Sequence, residues 1–170
     1  MEHIPAGSVV TLLAKTASKS AVDNEPVTQP YHQVPPNQYR EVQDHISKLL
    51  RKGVIQESSH AYASPIVLVR KSDGSIMLCV DYGKLNHKTR KDALPLPHID
   101  ENFDALRGAQ YLSTLDLASG YHQVAVEESD RHKTAFATPF GLYEFPRKPI
   151  GICNGPATFQ RLMQATINKS

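Results

Sequence analysis

Two stretches of this 170-residue chain carry side chains that could do chemistry together. In "YLSTLDLASGYHQV" a carboxylate, Asp116, sits near the end of an apolar, β-prone run. Beside it come the small-residue turn Ser119-Gly120 and the ring of Tyr121. Side chains alternate faces along a strand, so Asp116 points away from Leu115 and Leu117. The leucines can then enter a core while the carboxylate faces a cleft; a surface aspartate ending a strand is the plainer alternative. In "KLNHKTRK", Lys84, Lys88, Arg90 and Lys91 fall within eight residues. That density suits contact with a phosphate backbone, with affinity falling as salt rises. A solvated loop would have the same composition.

The totals limit the classes available. A chain of this length with 40% hydrophobic residues can bury one core of ordinary size, so one domain is expected. A formal net charge of +2 does not by itself indicate an anionic partner, and local basic clusters carry more information. Cys79 and Cys153 form no CxxC and no zinc-ligand spacing with histidines; they read as buried free thiols in a reducing compartment. No apolar run approaches 18 residues, so no transmembrane helix is expected. "GSVVTLLAKTASKSA" lacks the basic n-region of a signal peptide, and without an export signal the expected location is intracellular, cytoplasmic or nuclear.

The elements that must position these side chains follow from periodicity. Residues 1–30 read as a leader or linker, poorly ordered by themselves. In "PPNQYREVQDHISKLLRKG", Val42, Ile46, Leu49 and Leu50 recur at helical spacing, with prolines at the start and Gly53 just past the end. "SPIVLVRKSDGSIMLCVDY" is two β-prone runs flanking Asp73-Gly74, a hairpin signal. "LPLPHIDENFDALRGAQ" starts extended and becomes helical through Ile99, Phe103 and Leu106, stopping at Gly108. Strands are expected over 111–117 and 121–127, and "TAFATPFGLYEF" gives a second hairpin turning at Gly141. A last helix is expected over 156–167, with Asn154 as a cap just upstream. The order predicts an α+β fold with a mostly antiparallel sheet and packed helices.

Taken in order, "SPIVLVRKSDGS", "LCVDYGKLN", "PLPHID", "LSTLDLASGYHQV", "KTAFATPFGLYEF" and "GPATFQRLM" resemble the reverse transcriptase domain of gypsy-type LTR retrotransposon Pol polyproteins. The resemblance covers about residues 28–168. It implies a fingers part over 31–95 and a partial palm over 96–170. It implies template-directed transfer of dNTPs to a primer 3′ hydroxyl, with RNA or DNA template-primer as partner. Two metal ions assist that chemistry, and Mg²⁺ takes hard oxygen ligands. Asp116 matches the first catalytic, metal-binding carboxylate, and the Leu117 carbonyl an additional metal ligand. Ser119 and Gly120 match the turn whose N–H groups approach the triphosphate. Tyr121 matches the aromatic under the nucleotide sugar, where a ring can exclude a 2′ hydroxyl. Lys71 matches a fingers lysine on phosphate, and Gly151 lies in the segment near nucleotide and template.

The chain also departs from that pattern. Met77 and Gly83 stand where basic residues are usual. Lys148, Ile150 and Gly155 stand where Met, Phe and Ala are typical. The family's YxDD hairpin is missing, there is no Asp-Asp pair, and the only adjacent acidic pair is Glu127-Glu128. The expectation is a fragment truncated before that hairpin and inactive alone, with an unpaired edge beside Asp116 that leaves it marginally stable. The alternative is a non-catalytic pseudoenzyme that binds nucleic acid or a protein partner.

Overall fold

The computed structural model describes residues 25–94, 104, 106–111, 113 and 120–167. Helix α1, Tyr39–Arg51, follows a 3₁₀ turn at Pro36–Gln38. Its apolar stripe buries Val42 and Ile46, with Leu49 and Leu50 packed beside them. Gly53 takes φ +64°, and the Gly53 and Val54 N–H groups donate to the Leu50 and Leu49 carbonyls at 2.9 and 3.0 Å. This left-handed stop satisfies carbonyls that the helix end would otherwise leave unpaired.

The strands are β1 (Gln56–Glu57), β2 (Ser64–Arg70), β3 (Ile76–Val80), β4 (Phe136–Thr138) and β5 (Gly141–Glu144). They form a five-stranded sheet in the order β1-β5-β4-β2-β3. The β2–β4 pair is parallel, joining Ser64 to Phe136, and the other pairs are antiparallel. Both expected hairpins form: β2–β3 turns at Gly74 (φ +81°) and β4–β5 at Gly141 (φ +144°).

Helix α2 (Gly83–Lys88) follows β3, and helix α3 (Gly155–Ile167) closes the described chain. The main core joins Ile46, Ile55, Ile66, Phe136, Tyr143 and Phe145. A smaller cluster of Val27, Tyr82 and Leu85 seats α2. Part of the segment read as a leader is therefore packed into the fold: Val27 is buried, and the 27–29 backbone bonds to Ala63.

One face of the β2–β3 hairpin stays open. Val67, Val69 and Met77 are each about two-fifths exposed, and Val69 pairs across to Met77. Ile66 and Ile76 take the buried positions.

The expected strand over 121–127 is not one. Residues Gly120–Gln123 make a 3₁₀ turn, with the Val124 N–H donating to the Tyr121 carbonyl at 3.1 Å. Only an isolated antiparallel bridge, Ala125 to Arg147, follows. The facing segment contributes to this: Pro146 accepts from the Val126 N–H but carries no N–H to return the bond. Glu127 precedes a third 3₁₀ stretch, Glu128–Thr134, that the sequence did not reveal. The expected strand at 111–117 and helix through Ile99 and Phe103 lie essentially outside the described residues.

Phe136 has no exposed surface and meets the Tyr143 and Phe145 rings at centroid distances of 5.9 and 5.2 Å. Phe136→Ala is expected to lower unfolding free energy by about 3–5 kcal/mol in urea titration. Val69→Ala on the open face should change it by no more than about 0.5 kcal/mol.

Candidate nucleic-acid and nucleotide interface

Helix α2 is fixed from below. Tyr82 is 1% exposed, and its hydroxyl donates to the Thr134 carbonyl at 2.8 Å. Burial pushes that phenol well above its ordinary range. Leu85 is buried beside it, so Lys84, His87 and Lys88 are turned outward on α2. The chain then runs extended through Arg90 and Lys91, both exposed. The four basic residues singled out from the sequence thus share one continuous surface segment, whose first part is a short helix rather than the solvated loop that was the plainer alternative.

Two asparagines join this segment to the loop before α3. Asn86 donates through Nδ2 to the Gly151 carbonyl at 2.8 Å, and its Oδ1 accepts from the Cys153 N–H at 2.9 Å. Asn154 donates through Nδ2 to the Arg90 carbonyl at 3.0 Å, and its Oδ1 accepts from the Asp92 N–H at 3.0 Å. The cap expected of the Asn154 side chain is therefore absent: its amide reaches across the chain, while its main-chain oxygen accepts from the Thr158 N–H at 3.2 Å. Short polar side chains before a helix choose between these two uses according to what lies opposite.

Gly151 sits at φ +102°, which only glycine adopts readily. A Cβ there would lie 3.5 Å from Tyr82 Cδ2 and the Val80 carbonyl. Gly83 is different. A Cβ there would come 3.0 Å from Asp81 Oδ1, a side-chain end able to turn aside, so space alone does not dictate glycine.

Asp92 extends the junction. Its carboxylate takes two hydrogen bonds from the Arg161 guanidinium on α3, one of them at 2.7 Å. Those bonds hold the carboxyl below its usual range. Next to it, Lys148 is only 6% exposed. Its ammonium donates to the Asn154 carbonyl at 3.1 Å and to Thr158 Oγ1 at 2.6 Å. Burial pulls its pKa down to about 8, against the attraction of Cys153 and Asp92. The sequence marked Lys148 only as a departure and gave no sign of Asn86, or of Asp92 with Arg161. Those partners lie more than 60 residues apart, and no local pattern joins them.

Tyr121 is half-buried on its 3₁₀ turn with Gly120. Its ring packs 5.3 Å from the Phe159 ring of α3, and a Cβ on Gly155 would come 3.4 Å from it. α3 thus ties Tyr121 to the same junction. Lys71 lies elsewhere: it is exposed at the hairpin tip, where its N–H donates to the Ser75 carbonyl at 2.9 Å. The Val80 end of β3, where Gly151 sits, is roughly 17 Å away along the strand. Asp116, Leu117 and Ser119 lie outside the described residues. Among the described residues no group of three or more His, Cys, Asp or Glu side chains could hold a metal ion, and no helix is long and apolar enough to cross a membrane.

A family profile described as "Reverse transcriptase (RNA-dependent DNA polymerase)" matches residues 69–169. The chain belongs to the reverse transcriptase family. It is 39% identical to the Retrovirus-related Pol polyprotein from transposon 297 of Drosophila melanogaster, over 82% of this chain and 14% of that protein. It is 39% identical to the corresponding polyprotein from transposon opus, over 88% and 16%. Transposon Tf2-3 polyprotein of Schizosaccharomyces pombe is 34% identical over 81% and 10%. The chain therefore spans about a tenth to a sixth of the curated relatives it matches. Among solved structures, the native Prototype Foamy Virus Protease-Reverse Transcriptase superposes with TM-score 0.76 at 26% identity, covering 87% of this chain and 20% of that one. The foamy viral enzyme in complex with an RNA/DNA hybrid superposes with TM-score 0.71 at 21% identity, over 90% and 20%. The α+β reverse-transcriptase-like fold is thereby shown.

The buried ammonium makes a pH prediction. In the folded chain the Lys148 pKa is about 8 rather than 10.5, so between those values the unfolded chain binds more protons. Stability should therefore rise with pH across that window. Lys148→Met leaves the Asn154 carbonyl bonded to Thr158, so no acceptor is orphaned. The variant should be at least as stable at pH 7 and should lose this alkaline rise, as read from urea midpoints at pH 7, 8, 9 and 10. Asn154→Ala orphans the Arg90 carbonyl and the Asp92 N–H and should cost about 1–3 kcal/mol.

Proposed function

We propose that this chain supplies the fingers (31–95) and part of the palm (96–170) of an RNA-directed DNA polymerase acting within a retrotransposon Pol polyprotein. The observation that carries this reading is the reverse transcriptase profile over residues 69–169. The reaction is transfer of a dNTP to a primer 3′ hydroxyl on an RNA or DNA template. Asp116 is its catalytic carboxylate, and with the Leu117 carbonyl it would contribute metal ligands. Mg²⁺, when bound, would supply Lewis-acid polarisation of the reacting oxygens.

The other roles fall to this chain's own groups. The Ser119-Gly120 turn offers N–H donors to the triphosphate. The Tyr121 ring, braced by Phe159, sits against the sugar. Lys71 on the hairpin tip reaches phosphate. Gly151 lets the backbone approach the nucleotide or template. Lys84, Lys88, Arg90 and Lys91 follow the nucleic-acid backbone.

The chain contains no Asp-Asp pair, and a single carboxylate cannot hold two metal ions in place. By itself it binds template-primer without extending it. A second reading, a non-catalytic binder, is favoured by Met77, which is 41% exposed and offers neither charge nor donor where a basic residue would serve a phosphate.

Fluorescence anisotropy with a labelled RNA/DNA primer-template tests the interface. Binding should weaken steeply with salt, and neutralising Lys84, Arg90 or Lys91 should each reduce the log–log salt slope by about one. No binding at low salt would sink the nucleic-acid interface, and primer extension by the chain alone would overturn its incompleteness. In a Pol protein carrying this domain, Asp116→Asn should abolish extension while leaving primer-template binding intact. Retained extension would remove Asp116 from the chemistry.

A further inference from the structure

A cleft of about 380 Å³ lies between the segment entering the fold and helix α2, lined by Glu25, Val27, Thr28, Lys84, His87 and Lys88. Val27, buried against Tyr82 and Leu85, fixes the entering segment against α2. Two ammonium groups and an imidazole line the α2 side. The entering segment contributes one charged side chain, the Glu25 carboxylate, 3.5 Å from Lys88 Nζ.

This carboxylate does not hang on a loose tail. The Ala63 N–H donates to the Val27 carbonyl at 2.9 Å, and the Gln29 N–H donates to the Ala63 carbonyl at 2.8 Å. The Thr28 hydroxyl donates to the Ala61 carbonyl at 2.5 Å. Two residues upstream of buried Val27, Glu25 is therefore delivered to the helix that carries Lys84 and Lys88.

We propose that Glu25 is an internal competitor for nucleic-acid phosphate at Lys88. Its carboxylate holds the ammonium until a backbone phosphate displaces it, and the released Lys88 then joins Lys84 on that phosphate. The inference rests on the nucleic-acid reading above and assigns one residue that opposes it. Glu25 is 85% exposed and its partner 36%, so the pair is a weak one that a phosphate can replace. Each lysine engaged adds counterion release, which favours the phosphate at low salt.

The test is a double-mutant cycle on the full chain. Wild type, Glu25→Gln, Lys88→Gln and the double variant are titrated against a labelled RNA/DNA duplex across a salt series. Thermal melts verify that all four fold, and Lys88→Ala is a second neutral variant. Glu25→Gln should bind about two- to five-fold tighter, with a salt slope steeper by about one. The gain should largely vanish when Lys88 is already neutral. A gain that persists in full on the Lys88→Gln background would reflect net charge alone and overturn the proposal. So would an absent gain in a chain that still binds. Failure of the wild type to bind at low salt would instead overturn the nucleic-acid reading, and this inference with it.

Discussion

Where α2 and the segment after it meet the loop before α3, the described fold depends on two asparagine side chains that act as bridges. Asn86 binds the Gly151 carbonyl and the Cys153 N–H, and Asn154 binds the Arg90 carbonyl and the Asp92 N–H. Each amide satisfies one donor and one acceptor on a loop more than 60 residues away, so the two loops hold each other in one register. A half-buried loop carries backbone groups that must find partners, and the asparagines provide them. Gly151 can keep its positive φ because Asn86 fixes the peptide on its C-terminal side. The basic run at 84–91 takes a defined course because Asn154 grips its far end.

Lys148 shows the cost of building such a junction from polar groups. A buried ammonium is held by one carbonyl and one hydroxyl, with Asp92 already engaged by Arg161. Its depressed pKa records desolvation that its neighbours do not fully offset. The Asp92–Arg161 pair meets the opposite condition. It is partly exposed, doubly hydrogen-bonded and well matched in geometry, so it fixes α3 at little cost.

The sequence disclosed those parts of the architecture that are governed locally. The stripe of Val42, Ile46, Leu49 and Leu50, the Asp73-Gly74 and Gly141 turns, and the closing helix all appear in the structure, because neighbours in sequence decide them. What failed was decided from a distance. Tyr121 reads as a strand residue by composition, yet it lies on a 3₁₀ turn with its ring packed on Phe159, a partner 38 residues later. Asn154 reads as a helix cap, yet acceptor and donor lie ready on Arg90 and Asp92. Val27 was lost inside an apparent leader because its partners, Tyr82 and Leu85, come more than 50 residues later. Among the candidate site residues, Gly151 and the basic run do converge, although only the spatial clamp at Asn86 reveals it.

Departures from the family pattern separate by what each removes. Met77 is exposed on an open hairpin face, and Gly83 has room for a side chain if Asp81 turns. What side chain stands at either position matters little to the fold, because no packed neighbour depends on it. Lys148 is the reverse: it adds a charge inside the junction, and the fold must solvate it with Asn154 and Thr158. Contributions made by the backbone, such as the Gly151 conformation and the hairpin turns, are untouched by any of these changes. The chain therefore keeps the reverse-transcriptase-like backbone whatever side chains stand at these positions. The open β2–β3 face is apolar, while α2 and the segment after it carry four exposed basic side chains, one of them already paired with Glu25.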